Sequence, residues 1–181
     1  MIKLKTVTIG IDGVPYTLLK KYAKQDIMPN FKAFTEDGVF TKMQSSIPEI
    51  SSVSWSSAIT GKNPGEHNIF GFTDLIPNTY TMNFPNFQML KAKPFWHQQP
   101  NKKHVIINVP QTYPTQELNG FHVSGFVSLD LERAVYPSSQ LSMLDEMNYE
   151  IDVDSNKAHK SMDLFLNHLF ITHDKRMHLA D

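Results

Sequence analysis

The chain has 181 residues, a length that one domain can account for, and 40% of the residues are hydrophobic against 19% charged, which is a globular composition. Seventeen basic and 18 acidic residues give a formal net charge of −1, so the charge balance does not indicate a partner among nucleic-acid polymers. Cysteine is absent, which excludes disulfides, thiolate catalysis and cysteine metal sites.

The N-terminal 45 residues predict two strands and two helices. Alternating β-branched residues predict a first strand from Leu4 to Ile11, followed by the turn dipeptide Asp12-Gly13. Pro15 predicts the start of a helix. The apolar face of this helix is expected to carry Leu18, Leu19 and Tyr22. Pro29 predicts a second short helix, in which Phe31 and Phe34 pack inward, and Val39 to Met43 is expected to be a short strand.

The rest of the chain alternates predicted helices and strands. In chain order we expect a helix from Ser51 to Ile59, irregular chain over 70–95, a short helix at Trp96, strands from His104 to Val109 and from Phe121 to Phe126, a helix from Ser139 to Met147, a strand from Tyr149 to Val153, and an amphipathic helix from Lys160 to Ala180. This alternation predicts an α/β layered domain with a mostly parallel sheet.

Asp12-Gly13 is the first candidate for chemistry. An aspartate at the carboxyl end of the first strand of an α/β sheet lies where such folds bind ligands. The same dipeptide is also typical of a tight turn with no functional role, and both interpretations stay open from the residues alone. A dinucleotide fold is disfavoured because no G-x-G-x-x-G motif follows the strand.

The second candidate is the serine-rich helix start, in which the serines are Ser51, Ser52, Ser54, Ser56 and Ser57. Such clusters usually cap a helix, but a hydroxyl at a helix N-terminus is also well placed to act on an anion such as a phosphate. A serine becomes a good nucleophile only when a base or a metal ion activates it. The chain has neither a G-x-S-x-G elbow nor a Walker A motif.

Taken together, these segments resemble the alkaline phosphatase superfamily and, within it, the type I phosphodiesterase/nucleotide pyrophosphatase branch. The family's opening metal-binding Asp followed by Gly matches Asp12-Gly13. Its central block is matched by Pro48, Ser51, Trp55, Thr60-Gly61, Pro64 and His67, and later segments by Asn108 to Pro114, Asn119-Gly120, Ser124 to Phe126 and Ala134 to Pro137. Asn68 departs from the usual Gly after the His.

The resemblance implies a fold, a site and a reaction. The fold would be a three-layer αβα arrangement with a mostly parallel, alkaline-phosphatase-like sheet, here truncated. The family nucleophile lies nine positions before the Thr of Thr-Gly, which selects Ser51. Asp12 and Ser51 would bind metal, two divalent ions, typically zinc, would assist, and hydrolysis of a phosphate ester or nucleotide would pass through a phosphoseryl intermediate.

Ligand counting argues that residues 1–181 are the N-terminal portion of a single phosphodiesterase-like catalytic domain. Two catalytic zinc ions need about five or six protein ligands, and the family's remaining Asp and His ligands are not recognisable. Asp174 and His178 have the family's Asp-x-x-x-His spacing, but they also fit a solvated helix face. We therefore expect the chain to be inactive alone. The alternative is a non-catalytic remnant that binds a phosphate-bearing ligand or a protein partner.

The sequence does not favour a sulfatase, and it does not favour a site at the single histidines. The sulfatase signature is absent after Ser51, and the single histidines at 97, 104, 122, 159 and 168 are expected to be surface or hydrogen-bonded residues. The N-terminal residues do not have the pattern of a signal peptide, and no run of about 18 apolar residues suits a membrane span, so we expect a cytoplasmic protein that does not contact a membrane.

Overall fold

The computed structural model describes residues 5–181, and the chain divides into two compact units, Met1–Ser45 and Ser46–Asp181. In the first unit, Pro15 directly precedes helix α1, Tyr16–Lys24, and Pro29 opens helix α2, Pro29–Glu36. Proline suits the start of a helix because its fixed φ is already helical and its missing N–H would have no partner there. Both helices therefore lie where the sequence predicts them.

Aromatic side chains hold the first unit together. The Phe40 ring stacks on Tyr16 with a centroid distance of 4.5 Å and meets Phe31 edge-on at 5.3 Å. The prediction that Phe34 also packs inward is wrong, since this side chain is 78% exposed. Phe31, three residues earlier on the same helix, makes the contact with Phe40 instead.

The two strands predicted for the first unit are not formed in its described part. Leu4 lies outside the described residues, and neither 5–11 nor 39–43 is a strand. Val7 is 81% exposed and Val39 is 92% exposed. A strand exists only where a neighbour completes its hydrogen-bond ladder, and no strand pairing is found between residues 5 and 45. The alternating pattern was therefore not sufficient, and Asp12 does not follow a strand.

The second unit contains five helices and five short strands among its residues. They are α3 Ser51–Thr60, α4 Pro64–His67, β1 Asp74–Leu75, β2 Met82–Asn83, β3 His104–Val109, β4 Gly120–Ser124, β5 Val135–Tyr136, α5 Leu141–Glu146, α6 Asn156–Lys160 and α7 Met162–Ala180. Single 3₁₀ turns lie at Phe87–Met89, Glu132–Ala134 and Ser138–Gln140. The predicted strands at 104–109 and near 121 and the predicted helix at 51 are confirmed.

The main sheet has the order β3-β4-β5. Strands β3 and β4 are parallel, with His104 opposite Gly120, whereas β4 and β5 are antiparallel, and β1 and β2 form a separate antiparallel pair. Gly120 has φ +146°, and a Cβ built there would lie 1.8 Å from the His104 carbonyl oxygen, so this register requires glycine. The α/β class is confirmed, while the three-layer, mostly parallel sheet is not seen in the described residues.

Apolar clusters cover both faces of this sheet. Ile106 of β3 packs in one cluster with Ile59 of α3, and its neighbour Ile107 packs against a second cluster that includes Leu144 of α5. Successive strand residues point to opposite faces. Helix α3 and helix α5 therefore contribute to the cores on opposite sides of the sheet.

Three further local predictions need correction. Trp96 lies in a turn instead of a helix, and the predicted strand from Tyr149 to Val153 is a bend without strand pairing. The predicted helix over 139–147 begins as a 3₁₀ turn and becomes α5 only at Leu141. Each of these segments has the local sequence pattern of the predicted element, but packing against the neighbouring chain decides its final geometry.

Helix α7 is the long helix that the sequence predicts, but its buried face is not the apolar one. Its buried residues are His168 and Thr172, whereas Met162, Phe170 and Met177 are more than half exposed. Periodicity of apolar residues correctly predicted the helix and wrongly predicted which side packs. The buried side is selected by polar contacts to the 148–154 segment. His168 lies 2.6 Å from the Glu150 carboxylate and accepts the Asp154 N–H, and Lys175 donates to the Asn148 carbonyl.

Candidate functional site

The first turn of α3 presents the proposed nucleophile. Ile50 is in an extended conformation, φ −118° and ψ 137°, and its carbonyl accepts the N–H groups of Val53 and Ser54 at 3.0 and 2.9 Å. Ser51 is thus the first helical residue, and its side chain is half-buried. A helix begins here with its positive dipole end and first amides beside Ser51, an environment that favours an anion.

The neighbouring serine hydroxyls are buried in the helix packing or form structural hydrogen bonds. Ser56 Oγ donates to the Ser52 carbonyl at 2.7 Å, and Ser54 Oγ lies 2.9 Å from Ser46 Oγ. Ser52 Oγ is buried and has no hydrogen-bond partner among residues 5–181. These contacts place Ser52 and Ser56 in the interior, so Ser51 is the better-placed candidate of the three.

Ser57 and His67 form a pair that resembles a catalytic dyad but does not act as one. The two side chains meet at 3.0 Å between Oγ and Nε2, while the Ile69 backbone N–H donates to His67 Nδ1 at 3.1 Å. Nδ1 must therefore be unprotonated, so Nε2 carries the hydrogen and donates to Ser57. Burial lowers the pKa of His67 against the opposing charge of Glu66. His67 is thus a neutral donor that ties α3 to α4, and it is not the base for Ser57.

Asn68 follows His67 in the left-handed conformation, with φ +67°. This backbone region is the one that glycine occupies most easily, and asparagine tolerates it better than most residues. The departure from the family's usual Gly therefore leaves the turn after His67 intact.

Asp12 lies exposed in a turn of the first unit and is followed by Gly13 at φ +69°. Ser51 belongs to the second unit. The prediction that Asp12 and Ser51 share a metal site is therefore not tested by the geometry within either unit.

Metal-ligating side chains do not gather in the described chain. Among residues 5–181, no three histidine, aspartate or glutamate side chains are grouped closely enough to hold an ion. Asp174 and His178 are both exposed on α7. A catalytic zinc takes about three protein ligands, so the described residues do not fit a complete metal centre.

The segment from Asn108 to Pro114 is the part of the resemblance with the most unusual backbone. Asn108 and Gln111 have φ +53° and +64°, a region that non-glycine residues seldom occupy and that often marks functional sites. Asn108 Nδ2 donates to the Ile151 carbonyl at 3.3 Å, and Tyr149 donates its hydroxyl proton to Asn108 Oδ1. Gln111 Nε2 donates to the Pro85 carbonyl at 2.7 Å. These bonds hold the chain that leaves the carboxyl end of β3.

A histidine that the sequence did not single out is buried in the sheet beside this segment. His122 lies in β4, is fully buried, and contacts Thr112 Oγ1 through Nε2 at 3.1 Å. Thr112 donates its own proton to the Val109 carbonyl at 2.7 Å, so it accepts from His122. Burial lowers the pKa of His122 to about 3. The only signal for this in the sequence is a histidine between Phe121 and Val123 inside a predicted buried strand.

These features coincide with a known family. Residues 6–179 match the family described as type I phosphodiesterase / nucleotide pyrophosphatase. The chain belongs to this family. No curated protein and no solved structure gives a significant match. The family match confirms the resemblance derived from the serine-rich helix start.

Membership of the phosphodiesterase family supports hydrolysis of phosphate esters or nucleotides as the general chemistry. The structure adds the placement of Ser51 at the start of α3. In the described part of the chain, no helix is both long and apolar enough to cross a bilayer.

Proposed function

We propose that the chain carries the nucleophilic half of a phosphodiesterase/nucleotide pyrophosphatase site, with Ser51 as the nucleophile. The observation that carries this proposal is the position of Ser51 as the first residue of α3 in a chain that matches the family over residues 6–179. The ligands we propose are small phosphate esters or nucleotides.

In this proposal Ser51 Oγ loses its proton to solvent and attacks phosphorus in line. The P–O bond to the leaving group breaks, and the leaving oxygen takes up a proton from water. Water then hydrolyses the phosphoseryl group and releases phosphate or a phosphomonoester. The first amides of α3 and the helix dipole stabilise the negative charge on the non-bridging oxygens. We further propose that two divalent ions, zinc in particular, assist in the complete site, with Asp12 and Ser51 among their ligands. The described residues do not group a full set of ligands for these ions.

We also propose that the 181-residue chain does not hydrolyse substrate by itself. The purified chain, supplied with zinc, is incubated with bis-p-nitrophenyl phosphate beside the Ser51→Ala variant, and p-nitrophenol is measured. Equal, background rates are expected. Zinc-dependent hydrolysis that is lost in Ser51→Ala would contradict inactivity while supporting Ser51. Hydrolysis retained in Ser51→Ala would contradict the assignment of Ser51 as the nucleophile. Ser57→Ala, which removes a neighbouring hydroxyl, is the matched control.

A non-catalytic role is the second candidate, and it is favoured by the lack of a grouped metal-ligand set in residues 5–181. Such a remnant would bind a phosphate-bearing ligand or a protein partner without binding zinc tightly. Zinc titration of the purified chain separates the two. If the chain retains part of a catalytic metal site, it should bind zinc, and the Asp12→Asn variant should bind zinc more weakly. A non-catalytic module should show no saturable binding in either protein.

A further inference from the structure

A pocket of about 490 Å³ lies away from the proposed nucleophile, between the 90–100 segment and the 116–119 segment. Leu90, Pro94 and Leu118 give it an apolar wall, and Lys91, Lys93 and Glu117 are its charged lining residues. Ligand sites for small molecules typically have this size and this mixture of apolar surface and few polar groups.

The pocket is at the amino ends of the parallel strands. Asn119 lines it and directly precedes Gly120, which pairs with His104 at the start of β3. Open α/β sheets bind their substrates at the opposite, carboxyl ends. The pocket also adjoins the end of α3, since Phe95 N–H donates to the Ile59 carbonyl, eight residues or about 12 Å of helix from Ser51. It is therefore distinct from the site proposed for phosphate-ester hydrolysis.

The charge of the lining residues favours an anion. Lys91 and Lys93 form no ion pair with any described residue, whereas Glu117 is the single acidic residue in the lining. With Glu117 beside the two lysines, the charged lining residues leave an excess of one positive charge, and positive charge at a concave surface raises the local concentration of anions.

Two buried nitrogen atoms in the same wall lack partners. Trp96 is 1% exposed, and neither its Nε1–H nor His97 Nε2 has a hydrogen-bond partner among residues 5–181. Both residues line the pocket, but neither nitrogen atom is exposed to it, so the indole can report an occupied pocket without donating to the ligand.

We propose that this pocket binds a small organic anion. Its acidic group faces Lys91 and Lys93, and its apolar body lies along Leu90 and Leu118. The chemistry is shared by phosphonates, phosphates and carboxylates, so the test distinguishes these classes.

The experiment follows the Trp96 indole in ¹⁵N–¹H correlation spectra of the complete chain. The chain has two tryptophans, and Trp55→Phe assigns the two indole signals. Phenylphosphonate, phenylacetate and neutral benzyl alcohol are titrated separately. We expect phenylphosphonate or phenylacetate to move the Trp96 signal saturably, and benzyl alcohol to bind more weakly.

A double variant tests the lysines. Lys91→Ala/Lys93→Ala should weaken anion binding about fivefold, while Lys102→Ala/Lys103→Ala, which removes the same charge from exposed residues outside the pocket, should not. The spectra report folding of each variant directly. No saturable shift, or equal weakening in both double variants, would overturn the proposal. Neither result bears on Ser51, whose test is hydrolysis.

Discussion

Two histidines in different parts of the second unit have the same hydrogen-bond pattern and different partners. His67 accepts the Ile69 N–H at Nδ1, and His168 accepts the Asp154 N–H at Nδ1 at 3.2 Å. In each ring Nε2 must therefore carry the hydrogen. His67 donates it to the neutral Ser57 hydroxyl at 3.0 Å, whereas His168 lies 2.6 Å from the Glu150 carboxylate.

This difference separates two contacts between elements: a neutral joint, the His67 contact between α3 and α4, and a charged joint, the His168 contact between α7 and the 148–154 segment. The two hydrogen bonds of the buried His67 ring join neutral groups, so their own contribution to stability should be insensitive to salt. Around His168 the partner Glu150 also lies 3.4 Å from Lys175 Nζ and is 45% exposed. The α7 contact should therefore respond to ionic strength and acid. The proposed nucleophile lies on the helix with the neutral joint.

His122 is the extreme case of the neutral type and should give the largest effect. Its folded pKa of about 3 is below the unfolded value, so between about pH 6.5 and pH 3 the unfolded chain binds a proton that the folded chain does not. The contribution of His122 to the free energy of unfolding is fully present above this window. It is lost as pH falls, by about 3 kcal/mol between pH 6.5 and pH 4. Urea unfolding at pH 7, 5.5 and 4 measures the loss.

The control for this prediction is the chain with His122→Asn, which retains the same carboxylates. Its free energy of unfolding should fall less steeply with acid than that of the unsubstituted chain. If the His122 variant does not fold, the ring proton of His122 can be titrated directly by NMR. A titration midpoint near pH 6.5 would contradict a desolvated, neutral ring.

His67→Ala should have the next largest effect. It removes a fully buried ring and leaves the Ile69 N–H and the Ser57 hydroxyl without their partner. The expected loss is about 2 kcal/mol, against about 1 kcal/mol for Ser57→Ala, which removes one hydrogen bond. Unfolding measured in 0.05 and 0.5 M salt should give the same difference. A loss that shrinks strongly in salt would mean that the α3–α4 joint is charged.

The sequence predicted the local elements that carry their own signals. Pro29 marks the start of α2 and Gly61 marks the end of α3, and both helices are found. The family resemblance selected Ser51 from five serines as the nucleophile, and α3 begins at this residue, while its catalytic role stays a proposal. Strands in the first unit could not be predicted in the same way, because a strand depends on a partner that its own residues do not encode.

The histidine environments were even less predictable. His168 obtains its role from Glu150 and Asp154, which are brought to it by the bend that was predicted as a strand. His122 obtains its low pKa from burial in the sheet. Such contacts arise only after packing, and for this reason the apolar stripe of α7 predicted the wrong buried face.

Glu150→Gln should have the smallest effect and is the sharpest test of the charged joint. Partial burial acts to raise the pKa of Glu150, but the bonds from His168 and Lys175 outweigh it, and the pKa is lowered. Its stabilisation is therefore present above the unfolded pKa and is lost as pH falls through the folded value. Since the carboxylate is 45% exposed, screening limits the loss at pH 7 to about 0.5–1 kcal/mol. Glu146→Gln, an exposed carboxylate on α5, should change nothing measurable. A Glu150 difference that persists in acid and in 0.5 M salt would show that both joints are neutral.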